Sequence, residues 1–239
     1  MFLHGLGSSA DDWSQQVPAV AADYRVLLVD LPGHGRSALP RGRLTVGRMA
    51  AALEALLLAA GEEPAHVVGL SLGGCVGLAL ALQAPARVRS LTLVNAFARL
   101  RPAHRGAALR MALRGLLVAA APMSAVGALV ARTVFPRPEQ DALRDLAAAR
   151  LARTSRRAYA GAMAALARFD VRDALAGVRC PTMVVAGVDD ATVGIDAKDA
   201  LARAIPGARW VVVPGSGHVT NVDQPAVFNA ALREFLAAH

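Results

Sequence analysis

The apolar positions of this chain fall into two alternating patterns. Short, nearly continuous apolar runs at residues 26–29, 65–70, 91–94, 181–186 and 209–214 end in or beside Gly, Pro, Asn or Asp. Runs of that length and bounding predict strands covered on both faces. Between them lie stretches with helical spacing, 74–83 among them. Strand and helix in alternation predict an α/β fold: a mostly parallel sheet with helices on both faces.

Residues 97–168 break that alternation. They are rich in Ala, Leu and Arg at helical spacing, with interruptions around Pro122, Pro136 and Pro138. The pattern predicts a helical insertion between strand 91–94 and segment 170–178, which leads into the next strand. The expected division is a core of 1–96 and 170–239 and an inserted helical cap of 97–169. Within the insertion, the apolar run 115–131 is short for a membrane span, contains Pro122 and follows Arg114. It reads as a buried helix pair, or as an apolar wall for an acyl chain.

The candidate chemistry sits at the ends of the predicted strands. Gly69-Leu70-Ser71-Leu72-Gly73 joins strand 65–70 to a helix, and glycines on either side of Ser71 let the backbone turn sharply and present the hydroxyl. The free N–H groups and positive dipole end of the following helix favour an oxyanion at the same place. Strand 181–186 ends in Gly187-Val188-Asp189-Asp190, and strand 209–214 ends in Gly215-Ser216-Gly217-His218. Ser, then an acid, then His is a chain order that serves nucleophilic catalysis.

With these pieces the chain resembles the α/β-hydrolase family. The likeness also takes in His4-Gly5-Leu6-Gly7 and Asp30-Leu31-Pro32-Gly33-His34-Gly35-Arg36-Ser37, so it runs through most of the length. It implies a triad of Ser71, Asp190 and His218, with an oxyanion hole from the backbone N–H groups of Leu6 and Leu72. Asp190 matches the family's Gly-x-x-Asp spacing from Gly187, and Asp189 stays open as its competitor. Asp196 lies well past the strand end. The family can also place its acid after strand 91–94, but Asn95 stands there, and an amide supplies no charge. Family members usually begin with an antiparallel strand pair, whereas only Met1, Phe2 and Leu3 precede His4 here. Those strands are expected to be missing, which would leave a sheet edge unprotected.

A rival reading starts from Gly5-x-Gly7-x-x-Ala10. It fits a dinucleotide fingerprint, with Asp30 as the ribose-binding acid. Pro18 interrupts the segment between them, and the reading leaves Ser71, Asp190 and His218 without a role.

Composition narrows the picture. The chain has 239 residues, enough for one domain that buries about 70% of its unfolded surface. Residues 97–168 hold 13 Arg against the acids Glu139, Asp141 and Asp145, so the net charge of +8 is owed to the insertion. A basic lid could steer an anionic substrate or an acidic partner, although one Lys against 25 Arg also looks like compositional bias. The basic region has few aromatics and no recognised module, so no nucleic-acid partner is expected. Cys75 and Cys180 read as packed thiols in a cytoplasmic protein. His4 reads as structural, His34 as a turn residue, and His66, His104 and His239 as surface or terminal positions, with no spacing that suits a metal.

Within the family the chain looks most like serine esterases and enol-lactonases of the 3-oxoadipate type. The resemblance implies cleavage of a small-molecule carboxylic ester or lactone through an acyl-enzyme, with no cofactor. Carbon–carbon bond hydrolases, cofactor-free perhydrolases, methyl-ester hydrolases acting on acyl carrier proteins and low-turnover ligand receptors share the frame. The frame alone does not choose between them.

Overall fold

The computed structural model describes residues 1–61, 64–102 and 105–239. Its strands are β1 (Phe2–Leu3), β2 (Leu28–Val29), β3 (Ala65–Leu70), β4 (Val88–Val94), β5 (Thr182–Gly187) and β6 (Arg209–Val213). They form one sheet in the order β2-β1-β3-β4-β5-β6, and every pairing within it is parallel. The helices of the core are α1 (Val17–Val20), α2 (Val46–Ala59) and α3 (Leu72–Gln83). Between β4 and β5 come α4 (Arg105–Ala120), α5 (Met123–Val134), α6 (Asp141–Ala152) and α7 (Arg156–Ala167). The chain then closes with α8 (Ile195–Ala204), α9 (Thr220–Asp223) and α10 (Pro225–Ala237).

Alternate side chains of the strands feed two separate cores, as the twofold period of a strand requires. Leu3, Val67, Leu91, Leu93 and Val184 pack on one face with buried side chains of α2, α3 and α8. Phe2, Val68, Leu70, Val94, Met183 and Val185 pack on the other against Trp13, Val20 and the Phe228, Leu232 and Phe235 ridge of α10. Because β3, β4 and β5 are covered on both sides, their sequences read as continuous apolar runs rather than as alternation.

The apolar run 115–131 is split at Pro122, which stands at the N-cap of α5, so it is a helix pair. No helix among the described residues is long and apolar enough to cross a membrane. The insertion closes onto the core through Val118, Val126, Leu151 and Tyr159, which are buried together against Leu6. A side chain at Gly7 would strike Tyr159 and Leu151, and that position also has φ +79°, so glycine is required there twice over. The early loop and the insertion therefore meet directly above the carboxyl ends of the strands.

Candidate active site

The turn after β3 is tight enough to need its glycines. A Cβ at Gly69 would overlap the backbone of Gly73 and Gly74, and one at Gly73 would overlap the carbonyls of Leu3 and His4. Between them Ser71 holds φ +50°, a left-handed conformation that costs a non-glycine residue about 1–3 kcal/mol. Its N–H donates to Val94 O at 2.9 Å, which pins the turn to the neighbouring strand. Ser71 is nearly buried, at 7% exposed, and lines a cavity of about 250 Å³ beneath the insertion. Leu72 opens α3, so its N–H is among those that the helix itself leaves unpaired. Leu6 lines the same cavity.

His218 reaches that cavity from the loop after β6. Its Nδ1 lies 2.8 Å from Asp190 Oδ2. The other carboxylate oxygen of Asp190 accepts from the N–H groups of Thr192 at 2.7 Å and Val193 at 3.1 Å. Burial opposes ionisation of Asp190, but the charges of His218 and Lys198 and their hydrogen bonds to it outweigh this and hold the carboxyl down at about 2. The adjacent Asp189 faces away: its side chain is half exposed and lies 3.7 Å from Arg137. The loops after β5 and β6 thus bring together His218 and Asp190, not Asp189, beside the cavity that Ser71 enters.

Two residues outside every motif organise this cluster. Asn95, at φ +47° after β4, accepts from Gly187 N at 2.8 Å and Lys198 Nζ at 2.9 Å through Oδ1. Its amide NH₂ donates to His218 O at 2.9 Å and Thr220 Oγ1 at 2.8 Å, so one amide ties β4 to the loops after β5 and β6. Lys198 is fully buried under Asp190. The sequence carries one signal for it: it is the chain's single lysine, set on the inner face of α8.

His4 is structural, and its protonation matters to the early loop. Nε2 accepts from Leu31 N at 2.9 Å and Nδ1 faces Gly5 O at 2.7 Å, a pattern that requires the neutral ring. Burial, helped by His34, pushes His4 down to about 4. The unfolded chain therefore binds the extra proton between pH 6.5 and about 4. Stability is whole above pH 6.5 and should fall by up to about 3 kcal/mol toward pH 4. Urea unfolding across that window should give a shallower pH dependence for His4→Gln than for the wild type; equal slopes would remove His4 from the account.

Other candidates have plainer roles. Asp30 accepts from Ala10 N at 2.8 Å and Arg36 N at 3.0 Å, so its carboxylate is spent on holding two loops. The early glycines lead into a single 3-10 turn, Ala10–Trp13, with no long helix to receive a pyrophosphate. The dinucleotide reading finds no site there. Cys75 is buried with its thiol pushed up to about 12, and Cys180 is half-buried. His34 is buried in its turn. His66 differs from the expectation of a surface position: it is half-buried, with Nδ1 2.7 Å from Ser90 Oγ and its ring edge-on to Tyr24. His239 is exposed at the terminus, and His104 lies outside the described residues. Among the described residues no group of three or more His, Cys, Asp or Glu side chains is arranged to hold a metal.

The cavity wall is mostly apolar, with Phe97, Leu129, Val130, Phe135 and Met163 among its residues. Arg110, Arg114 and Arg150 also line it. Two of these are engaged within the protein: Arg110 donates to Ala191 O at 3.1 Å, and Arg150 pairs with Asp12 at 3.0 Å. The guanidinium of Arg114 lies over the Tyr159 ring.

Comparison with known proteins agrees with this architecture. The family model described as alpha/beta hydrolase family matches residues 1–231. A protein of Azorhizobium caulinodans named as a carbamate hydrolase, RutD, is 36% identical over 241 residues, covering 97% of this chain and 88% of the relative. The crystal structure of a hydrolase from Pseudomonas aeruginosa superposes with a TM-score of 0.89 at 34% identity, covering 98% of this chain and 88% of that one. The enol-lactonase from Burkholderia xenovorans superposes with a TM-score of 0.91 at 26% identity, covering 99% and 90%.

Proposed function

Since the chain belongs to the alpha/beta hydrolase family, we propose that it is a serine hydrolase that cleaves a carboxylic ester or lactone through an acyl-enzyme. The observation that carries this reading is the 2.8 Å contact of His218 Nδ1 with Asp190 Oδ2, beside a cavity that both His218 and the strained Ser71 turn line. In this mechanism Ser71 Oγ attacks the substrate carbonyl as the free ring nitrogen of His218 takes its proton. The oxyanion that forms is stabilised by the N–H groups of Leu6 and Leu72, and each such donor contributes about 10²- to 10³-fold to turnover. His218 returns the proton to the departing alcohol, and water attacks the acyl-enzyme by the same route in reverse. Asp190 orients the ring and offsets its charge while it is protonated.

The insertion of residues 97–169 acts as a cap that selects the acyl group. Its contribution to the wall is largely apolar, so esters with a hydrocarbon acyl chain suit the cavity better than very small polar substrates. Each methylene that stays within such a wall is worth up to about 0.8 kcal/mol. A second reading, hydrolysis of a carbamate, rests on the name of the relatives at 36% identity, and the same attack on a carbonyl would serve it. An enol-lactone or other lactone rests on the structural neighbour of that name.

The test is a p-nitrophenyl ester series from acetate to decanoate, run beside a lactone and a small carbamate. Turnover should rise from acetate through butyrate and beyond, then fall once the chain outgrows the cavity. A carbamate turned over faster than every ester would overturn the ester reading in favour of the second one. No turnover of any of them by folded protein would favour a receptor.

A further inference from the structure

The ammonium group of Lys198 is enclosed, with none of its side chain exposed. It donates to Asn95 Oδ1 at 2.9 Å, Gly187 O at 3.0 Å and Asp190 Oδ2 at 2.9 Å. Three acceptors around one nitrogen require three protons, and a neutral amine carries only two. The geometry therefore demands the charged form, although burial draws Lys198 down from the usual lysine range. The oxygen it holds is the same Oδ2 that meets His218 Nδ1.

We propose that Lys198 is a positioning residue for the acyl-transfer chemistry: from the side of Asp190 away from the cavity it fixes the carboxylate and sets the pH at which His218 can act as a base. The inference rests on the proposed function, because it concerns the same base. A lone carboxylate favours the protonated imidazole. A cation on the same carboxylate oxygen cancels much of that attraction, so the ring loses its proton more readily and remains a base at lower pH. The cost is weaker stabilisation of the imidazolium formed during the reaction, while the ammonium, held in place by Asn95 Oδ1 and Gly187 O, keeps the Asp190 carboxylate from rotating away.

Other charged groups near the pair stand differently. Asp189 is paired with Arg137 of the insertion at 3.7 Å. Asp223, on α9, accepts from Gly217 N at 2.6 Å and Ser216 Oγ at 2.8 Å, and burial raises its carboxyl. Arg110 is bound to Ala191 O, and Arg114 and Arg150 line the cavity, the latter with Asp12. Among the described groups, Lys198 is the cation in direct contact with Asp190.

The test is the pH profile of kcat/KM for the preferred ester, with Lys198→Met and Lys198→Gln against the wild type. Both variants remove the charge, and Gln keeps an amide donor in case Met does not fold. The acid limb should move up by about one pH unit in each folded variant. An unmoved limb with turnover lowered evenly at all pH values would overturn the proposal and leave Lys198 a packing residue. The wild type supplies an arm that needs no variant: a buried pair is little screened, so its acid limb should stay in place between about 0.05 and 1 M salt. A limb that shifts with salt would assign the control to the cap arginines instead. Failure here leaves the serine mechanism standing so long as Ser71→Ala abolishes turnover. Turnover that survives in Ser71→Ala would sink the mechanism itself.

Discussion

Ser71→Ala and His218→Ala are each expected to lower kcat for the preferred p-nitrophenyl ester by about 10⁶-fold, leaving the residual rate that the oxyanion donors and substrate binding provide. The size of the effect comes from the division of labour. The hydroxyl is a poor nucleophile without its base, and the base is useless without the nucleophile, so either loss removes nearly the whole covalent route. The double variant should be little worse than either single one, because the two side chains act as a unit. Ser71→Ala removes a single oxygen, so its thermal unfolding should change little and loss of folding would not explain the result; His218→Ala removes a buried ring, so its kinetics belong below its melting temperature. A fluorophosphonate probe should label wild-type protein at Ser71, read by mass spectrometry, and leave Ser71→Ala unlabelled. Comparable turnover in the wild type and in Ser71→Ala would remove the serine mechanism.

Asp190→Asn should cost about 10⁴-fold in kcat, with KM changed far less, while Asp189→Asn stays within about twofold of the wild type. The two residues are neighbours in the chain and differ entirely in surroundings. Asp190 takes four hydrogen bonds, two from backbone N–H groups and one each from Lys198 and His218. Asp189 spends its charge on an exposed pairing with Arg137, and such pairs are worth about 0–1 kcal/mol. In Asp190→Asn the imidazolium that forms during the reaction loses its countercharge, and the buried Lys198 ammonium loses its partner as well. A buried cation left unpaired costs about 3–5 kcal/mol, so the variant should also melt earlier, and its kinetics belong well below its melting temperature. Equal loss of activity in the two variants would count against Asp190, the acid that the Gly-x-x-Asp spacing favours over Asp189.

Much of the frame is legible along the chain because it is built from local patterns. The run at 65–70 coincides with β3, and the run at 181–186 lies within one residue of β5 (Thr182–Gly187). β4 begins earlier than its apolar run suggests, since Arg89 faces out at the start of Val88–Val94 while Leu91 to Val94 are buried. The helix read as 74–83 begins at Leu72, because the glycine-flanked turn is sharp enough for the helix to start on the residue after Ser71. The sheet contains no antiparallel strand among the described residues.

Polar side chains that act across the fold are another matter. An amide lacks the charge of a triad acid, yet Asn95 Oδ1 and NH₂ join the end of β4 to the loops after β5 and β6, which lie 92 and 123 residues further along the chain. Lys198 shows no motif and no periodicity beyond its place on an amphipathic helix. Nor does a count of arginines tell which of them face the cavity: Arg110 and Arg150 do, but they are tied to Ala191 and Asp12.

By itself the sequence determined the alternating elements, the position of the helical insertion, the glycine-framed turn at Ser71 and the loops that carry Asp190 and His218. Each of these arises from the side-chain period and turn chemistry of a few consecutive residues. The family spacing already favoured Asp190, but only the tertiary structure set aside its competitor Asp189, showed that Asn95 binds the loops together, and showed a lysine buried beneath the carboxylate. The strands end at one edge of the sheet whatever their separation in the chain, and hydrogen-bond partners there are selected by distance and burial, two quantities that spacing along the chain does not carry.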